Sequence, residues 1–285
     1  MRDAEPEAIS PSRLADAYAA LAEGPIRPIA GGTDLMVALA AETMEPPDRV
    51  LDLWSLAELR GIAEDGDDLV VGALTTWTDL RRSGIVVRRL PALADAAATI
   101  GAAQIQHRGT IGGNAVNASP AGDSLPVLLA ADAILEVGGP RGERSVAAAD
   151  FWPAYRKTAL AADELLLRIR FPALPGRQVR YRKVGTRRAQ AISKVVMAVG
   201  WRGDAEGRWR DVRVAVGSMG PTPMRAPRAE ATLEGQRPTE IVADRVAGAL
   251  SEDLTPIDDV RSTAAYRRAV SARILMRILR EEGGW

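Results

Sequence analysis

The sequence predicts an α+β protein with more than one domain. The chain has 285 residues, which is longer than one average domain. Short strand-like runs alternate with helical patterns in its first part, whereas three strand-like runs and then three helical patterns follow the segment "PALPGR". Strands followed by helices are typical of an α+β domain. We therefore expect a mixed N-terminal part, a linker, and a small C-terminal α+β domain with a three-stranded sheet and helices.

The first 72 residues are expected to form a helix, two strands and a hairpin. Ser10 and Pro11 have the form of a helix start, and apolar residues recur at helical spacing until Gly24. The run "IRPIAGGTDLMVALAAE" predicts a strand that ends at Ala30, a glycine turn and an apolar helix. "RVLDL" at 49–53 is typical of a strand, and "GIAEDGDDLVVG" at 61–72 is typical of a hairpin.

The next hundred residues, roughly, combine helices with one unusual segment. Helical patterns lie at 76–82 and in "LPALADAAATIG", and "SLPVLLAADA" indicates a buried helix. "TIGGNAVNASPAGDSLP" at 110–126 is rich in glycine, proline, asparagine and serine, which neither a core helix nor a regular strand tolerates well. This segment is predicted to be a long surface loop or to wrap a ligand. A hairpin at 138–142 and a strand at 164–172 that leaves the domain complete this part.

Composition excludes several classes of function. With 37 basic and 37 acidic residues the formal net charge is zero, which argues against a nucleic-acid partner. No long apolar run predicts a membrane span, and "MRDAEPEAIS" lacks the features of a signal peptide, so we expect a cytoplasmic protein. The chain has no cysteine and one histidine, so by itself it does not build an iron–sulfur cluster or a Cys/His zinc site. Redox chemistry here needs an organic cofactor.

Common motifs of nucleotide chemistry and hydrolysis are absent from the sequence. It has no Gly-Lys-Ser/Thr of a P-loop, no G-x-G-x-x-G that opens a helix, and no G-x-S-x-G elbow. His107, the only imidazole, lies in the polar segment "QIQHRG" and is interpreted as a solvated or structural residue. No two carboxylates are spaced convincingly for acid–base catalysis.

Two glycine-bearing segments indicate an anion site instead. "AGGTD" at 30–34 joins a strand to a helix, where glycines let backbone N–H groups approach an anion and Thr33 adds a hydroxyl. "TIGGN" at 110–114 repeats this chemistry, with Thr110 as hydroxyl donor and Asn114 as amide donor. Two such loops suit a ligand with two phosphates. The alternative is two tight turns that hold no ligand.

The paired segments are similar to those of a known family. "AGGTD", "TIGGN" and the following "NASPAGDSLPVLLA" resemble the FAD-binding subunit of molybdenum hydroxylases, the group of xanthine dehydrogenase and carbon monoxide dehydrogenase. The resemblance continues through "DELLLRIRFP" to "YRKVGTRRAQAISKV" and covers the whole chain. It implies a two-lobed FAD-binding PCMH-type domain of the vanillyl-alcohol oxidase superfamily, with lobes at 1–55 and 56–173, and a C-terminal domain at 177–285.

The resemblance also implies which residues contact FAD. The two glycine loops correspond to those that hold the pyrophosphate, Asp123 to a residue at the ribose or ribityl hydroxyls, and Leu166 and Ile100 to residues near the isoalloxazine. The full set of expected contacts is Ala30, Gly31, Gly32, Thr33, Asp34, Ile100, Thr110, Gly112, Gly113, Asn114, Asn117, Asp123, Leu166 and Lys183.

Lys183 is a candidate for tuning the flavin and matches a family lysine near the ring. An ammonium group beside a reduced flavin stabilises its negative charge and raises its reduction potential. The alternative is a lysine that extends from a strand to solvent. No other catalytic residue and no metal ligand is predicted in this chain.

Partner subunits follow from the resemblance as well. It implies a small subunit with two [2Fe–2S] clusters and a large molybdopterin subunit, assembled as a dimer of heterotrimers. Electrons are then expected to pass through FAD to NAD, oxygen or another acceptor, while the substrate is decided on another chain. Because the chain has no cysteine and only His107 as a histidine, we expect non-covalent FAD. Two alternatives stay open, a stand-alone flavin-dependent reductase or oxidase of the same fold and a non-redox scaffold protein.

Overall fold

The computed structural model describes residues 5–173, 176–187 and 190–285. Residues 174 and 175, in the middle of the expected linker, lie outside these ranges. Three sheets follow one another along the described chain. No helix in the described part is both long enough and apolar enough to cross a membrane.

The N-terminal sheet has three strands, in which β1 and β2 both pair in parallel with the central β3. The elements are β1 (Glu7–Ile9), α1 (Leu14–Ala22), β2 (Arg27–Ile29), α2 (Leu35–Ala40) and β3 (Arg49–Asp52). The first helix begins at Leu14 and not at the predicted Ser10 and Pro11. Its Leu14 N–H donates to the Glu58 carboxylate at 3.1 Å, a contact between distant segments that the local pattern did not show. The predicted apolar helix after "AGGTD" is α2, and none of its residues is buried.

The second sheet has five antiparallel strands in the order β4-β5-β8-β6-β7, with several helices inserted between β5 and β6. Both predicted hairpins are present, and the strand predicted at 164–172 is the middle strand of this sheet. The elements are β4 (Ile62–Asp65), β5 (Asp68–Gly72), α3 (Trp77–Arg82), α4 (Gly84–Arg89), α5 (Pro91–Thr99), α6 (Ala103–Arg108), α7 (Ile111–Asn117), α8 (Leu125–Ala130), β6 (Ile134–Gly139), β7 (Gly142–Ala147) and β8 (Leu165–Phe171).

Residues 111–117 of the segment at 110–126 form a helix, which corrects the interpretation of this part as a loop. α7 runs through the glycines, and its Ile111 and Ala115 side chains are buried in the core. Thr110 caps the helix, since its hydroxyl oxygen accepts from the Gly113 N–H at 3.0 Å. Burial and capping therefore outweigh the low helix propensity of the two glycines. After a left-handed Ala118 (φ 50°), a turn leads to the fully buried helix α8 that the sequence predicted.

The C-terminal part contains a four-stranded antiparallel sheet and three helices. The three predicted strands are present, and a two-residue strand adds a fourth at the edge. The elements are β9 (Arg177–Val184), β10 (Val195–Gly203), β11 (Trp209–Gly217), β12 (Met224–Arg225), α9 (Pro227–Leu233), α10 (Glu240–Asp253) and α11 (Ala264–Gly283). Helices α9 and α11 pack against this sheet, and α10 packs on both of them.

Helix α8 connects the second sheet to the C-terminal sheet. It lies on β10 and β11, where the backbones approach closely at Gly200. A Cβ atom on Gly200 would come within 2.4 Å of the Ala130 carbonyl oxygen, so only glycine fits there. Tyr181 and Val196 of the C-terminal sheet share one hydrophobic core with α5 and α8. The chain just before α8 is therefore held between the two sheets.

Candidate cofactor site

The first glycine loop, Ala30 to Asp34, connects the end of β2 to the start of α2. Gly32 has a left-handed backbone (φ +76°), which glycine adopts without strain. Within the described residues, no acceptor is bonded to the N–H groups of Gly31, Gly32 and Thr33. Consecutive unpaired N–H groups in a turn form a concave donor surface that suits an anion. The predicted role of this loop is therefore physically available.

The second loop differs from the first in how its N–H groups are used. The Gly112 N–H donates to the Ala73 carbonyl oxygen at 2.9 Å, and the Gly113 N–H donates to Thr110. A Cβ atom on Gly112 would lie 2.6 Å from the Ala73 Cβ, so this glycine is required for packing. The N–H groups of Gly112 and Gly113 are therefore both used within the fold.

Gly113 and Asn114 carry the open side of the second loop. Outside the helix backbone, a Cβ atom on Gly113 would meet only the Thr110 hydroxyl oxygen, at 2.9 Å, within 4 Å. The Asn114 Oδ1 accepts from the Ser124 hydroxyl at 2.8 Å, which orients the amide. No acceptor among the described residues is bonded to the Asn114 Nδ2, so this group is free to donate to a ligand. The second loop thus offers space and a side-chain amide.

The fold brings the first loop against the residues on either side of the second loop. A Cβ atom on Gly31 would lie 1.7 Å from the Arg108 carbonyl oxygen, which means that the two backbones touch at this point. Asn117, which follows the second loop in α7, donates from its Nδ2 to the Asp34 Oδ1 at 2.8 Å. The Arg156 guanidinium in turn donates to the Asn117 Oδ1 at 2.7 Å. The separated sequence motifs therefore form one site.

Asp34 is the acidic member of this contact. The residue as a whole is exposed, its Oδ1 accepts from the Asn117 Nδ2, and the Arg156 charge acts on the carboxylate. Loss of hydration raises the pKa of Asp34 above its ordinary value, while the Arg156 charge and the Asn117 hydrogen bond oppose the rise. Arg156, which the sequence analysis missed, is therefore the charge that offsets this carboxylate.

A second polar cluster lies buried between the second sheet and the C-terminal sheet. The Lys183 Nζ donates to the Asp123 Oδ2 at 2.6 Å and to the Thr99 carbonyl oxygen at 3.1 Å. The side chains of Lys183 and Asp123 are each only 9% exposed, which excludes the alternative of a lysine extended to solvent. The Ser193 hydroxyl donates to the other carboxylate oxygen of Asp123. Both oxygens of Asp123 are thus engaged within the protein.

Burial controls the protonation of this cluster. Loss of hydration raises the pKa of Asp123, and Lys183 and Ser193 oppose that rise. Tyr181 is nearly fully buried, and burial raises its pKa well above the ordinary value, with a further contribution from the Asp123 charge. The Thr99 hydroxyl donates to the Ala96 carbonyl oxygen at 2.8 Å, so the neutral Tyr181 hydroxyl donates to Thr99 at 3.0 Å.

The two clusters are joined along the chain. Asn114 of the second loop accepts a hydrogen bond from Ser124. Ser124 directly follows Asp123, which forms the ion pair with Lys183. Ile100 follows Thr99 at the end of α5 and packs partly buried on the core. Leu166 is 5% exposed on β8, opposite Val137. No described residue is hydrogen-bonded to the Thr33 hydroxyl, and Ala30 packs at the edge of the N-terminal core.

His107 lies outside both clusters. It is exposed on α6, and its Nδ1 is 3.1 Å from the Thr78 hydroxyl. This placement agrees with its interpretation as a solvated or structural residue. Among the described residues, no group of three histidines and acidic residues could hold a metal ion.

Sequence reasoning missed Thr99, Ser193 and Arg156, which complete the two clusters. Thr99 acts through its carbonyl oxygen, which carries no side-chain signal. Arg156 lies in a segment without a motif, and only the fold brings it to Asn117. The one sequence signal available was the position of Ser193 within the lysine-bearing segment "YRKVGTRRAQAISKV".

Comparisons with known proteins agree with this geometry. Residues 4–174 match the family described as the FAD binding domain in molybdopterin dehydrogenase, and residues 180–282 match the CO dehydrogenase flavoprotein C-terminal domain. The chain is 34% identical to the xanthine dehydrogenase FAD-binding subunit of Escherichia coli O157:H7, over 94% of this chain and 92% of that protein. It is 33% identical to the carbon monoxide dehydrogenase medium chain of Afipia carboxidovorans, over 94% and 93%.

Solved structures give the same result. A chain of carbon monoxide dehydrogenase from Hydrogenophaga pseudoflava superimposes with a TM-score of 0.91 at 32% identity, covering 97% of this chain and 96% of that one. A chain of quinoline 2-oxidoreductase from Pseudomonas putida 86 superimposes with a TM-score of 0.92 at 26% identity, covering 100% and 99%. The chain therefore belongs to the family of FAD-binding subunits of molybdenum hydroxylase-type dehydrogenases.

Proposed function

We propose that this chain is the cytoplasmic flavoprotein subunit of a molybdenum hydroxylase complex. In this proposal a small subunit with [2Fe–2S] clusters and a large molybdopterin subunit complete the complex, as a dimer of heterotrimers. The chain accepts electrons from the clusters and passes them to NAD, oxygen or another acceptor. Residues 1–55 and 56–173 are proposed as the two lobes of the FAD-binding domain, and 177–285 as the C-terminal domain.

The observation that carries the proposal is the contact of the first glycine loop with the segment that leads into the second. Three consecutive N–H groups of the first loop are unpaired among the described residues, and they lie where its backbone touches the segment before the second loop. Beside them, Gly113 leaves space and Asn114 offers a free amide. This donor set suits a diphosphate, because it combines backbone N–H groups with room for close approach. FAD carries such a diphosphate, so the residues present fit it.

The buried cluster is proposed to act at the redox-active end of the cofactor. Bound FAD supplies a centre that exchanges one or two electrons. Lys183 holds a positive charge between Asp123 and Thr99, and burial makes such a charge more effective than in water. We assign Lys183 the role of favouring the reduced, more negative flavin. We also propose that Asp123, Ile100 and Leu166 contact the cofactor. Asp123 can accept from ligand hydroxyls because each carboxylate oxygen has more than one lone pair, and Lys183 and Ser193 use only one on each.

The proposed route of electrons depends on partner chains. Without cysteine, this chain has no thiolate ligands for an iron–sulfur cluster, so clusters must be supplied by another subunit. Its relatives are called medium chains or FAD-binding subunits, and such names belong to proteins of several chains. Since His107 is exposed on α6 and outside both polar clusters, we propose that FAD is held non-covalently.

Purification of the complex tests this proposal. The tagged chain, expressed in a cell that makes molybdopterin, should bring two further chains with it, one of them rich in cysteine. Acid denaturation should release FAD into the supernatant, because no covalent bond is expected. A chain that carries FAD but purifies alone would support the stand-alone reductase or oxidase. A chain that binds no FAD with any partner present would refute the flavoprotein function.

A pair of variants tests the second loop. Gly113→Val with Asn114→Asp should abolish FAD binding, because the valine fills the space beside Thr110 and the carboxylate repels the diphosphate. Gly248→Val is the matched control, since Gly248 lies in α10 and a Cβ atom there would meet no atom within 4 Å. FAD affinity is measured by flavin fluorescence on protein freed of cofactor. If the double variant binds FAD as tightly as the control, the loop does not hold the cofactor.

A further inference from the structure

Trp54 carries two guanidinium groups on its indole ring. The Cζ atom of Arg60 lies 4.2 Å from the ring centroid, and that of Arg108 lies 3.8 Å from it. Trp54 follows β3 in the N-terminal sheet, whereas both arginines belong to the part of the chain that forms the second sheet. The stack therefore connects the two parts of the chain that carry the two glycine loops.

The backbone next to Trp54 is bonded to the strand that precedes the first loop. The Leu53 N–H donates to the Ile29 carbonyl oxygen at 2.9 Å, so the residue before Trp54 is fixed to the last residue of β2. The first glycine loop begins at the next residue, Ala30. The Trp54 N–H is also held, by the Asp52 carboxylate at 2.9 Å. The ring position is thus tied to the backbone from which the first loop departs.

Both arginines are tied to the second loop. Arg108 precedes Thr110 by two residues, and its carbonyl oxygen is the atom that touches Gly31. Arg60 donates to the carbonyl oxygens of Trp54 at 2.7 Å and of Leu74 at 3.2 Å. The neighbours of Leu74 are Ala73 and Thr75, whose carbonyl oxygens accept from the Gly112 and Ile111 N–H groups. Arg108 is thus connected to the second loop along the chain, and Arg60 is connected to it through the residues around Leu74.

Neither guanidinium group is neutralised by a carboxylate in the described part of the chain. The salt bridges found there do not include Arg60 or Arg108, whereas Arg89, Arg170 and Arg177 each have an acidic partner. Arg108 is exposed, so its stacking on Trp54 is not forced by burial. A flat guanidinium group on an indole is a contact that arginine makes well and lysine makes less well.

We propose that Trp54, with Arg108 and Arg60 stacked on it, is a positioning element that sets the spacing of the two glycine loops for a diphosphate. This inference rests on the proposed function, because it needs FAD to bind at these loops. Trp54 does not touch the cofactor in this account. It acts by holding the Arg108 backbone against Gly31, so that the free N–H groups of the first loop and the Asn114 amide face the same ligand.

Equilibrium binding of FAD to the cofactor-free complex tests the inference. Trp54→Leu should raise the dissociation constant of FAD roughly ten-fold, since it removes two stacked cations. Trp54→Tyr, which keeps an aromatic face, should retain most of the affinity. Arg108→Leu should weaken binding to a similar extent as Trp54→Leu, and the double variant should be little worse than either one, because both changes break the same contact.

Two controls separate positioning from general loss of structure. Trp285→Leu removes another half-buried tryptophan, at the C-terminal end and remote in sequence from both loops, and Arg82→Leu removes another exposed arginine, on α3. Both should leave FAD affinity unchanged. If wild-type protein binds FAD but Trp54→Leu and Arg108→Leu bind it equally well, or if their effects simply add, the inference is overturned. If wild-type protein does not bind FAD at all, the proposed function itself fails.

Discussion

The buried pair of Asp123 and Lys183 allows a quantitative test of the contact between the second sheet and the C-terminal sheet. Asp123→Asn removes the counter-charge of an ammonium group whose side chain is only 9% exposed. Removing one partner of a buried ion pair costs about 3–5 kcal/mol, and the low end applies here because asparagine can still accept a hydrogen bond from Lys183. We therefore expect a loss of about 3 kcal/mol in the free energy of unfolding of the FAD-free chain, measured by urea denaturation at neutral pH.

A double variant distinguishes a coupled pair from two independent residues. Asp123→Asn with Lys183→Met removes both charges, and an uncharged replacement of a buried pair is often close to neutral. It should regain more than half of the stability lost by Asp123→Asn. Asp16→Asn, in an exposed pair with Arg13, should leave the urea midpoint unchanged. An Asp123→Asn midpoint equal to that of wild type, or a double variant as weak as the sum of the singles, would refute the reasoning.

Two further predictions concern glycine and capping positions. Gly31→Ala should displace the first loop and abolish FAD binding, because its Cβ atom would lie 1.7 Å from the Arg108 carbonyl oxygen, whereas Gly248→Ala in open space should stabilise α10 by about 0.5–1 kcal/mol. FAD titration and urea denaturation of the two variants check this, and a Gly31→Ala chain that binds FAD normally contradicts it. Thr76→Ala should cost about 1 kcal/mol, because Thr76 and Asp79 form a capping box at the start of α3; an unchanged urea midpoint would contradict the value.

Local patterns predicted the elements whose stability is local. The hairpins at β4–β5 and β6–β7 and the buried helix α8 all follow from turn residues and apolar runs, and all are present. The predicted start of α1 was wrong because the Leu14 N–H donates to Glu58, which lies in a distant segment. Helix α7 was missed for a related reason, since its glycines are compensated by packing on Ala73 and by the Thr110 cap. Tertiary contacts decided both cases against local propensity.

For the candidate site, the sequence indicated segments that the fold places close together, but not the contacts between single residues of those segments. The first loop lies against the residues before the second loop, and Asp123 and Lys183, distant in sequence, form an ion pair. The mutual pairing of Asp123 with Lys183 was not foreseen, because each was considered only in relation to a cofactor. Nor was the role of Trp54, since an aromatic residue between two arginines distant in sequence leaves no motif.

The two glycine loops have similar sequences but meet different physical demands. In "AGGTD", Gly31 is required by contact with another backbone and Gly32 by its left-handed conformation, and the N–H groups of this loop stay unpaired among the described residues. In "TIGGN", Gly112 is required by packing on Ala73, and the N–H groups are used within the fold. Gly113 is different, because the only atom that a Cβ on it would meet within 4 Å is the Thr110 hydroxyl oxygen. We therefore propose that the first loop donates backbone N–H groups to a diphosphate, and that the second loop supplies space and the Asn114 amide.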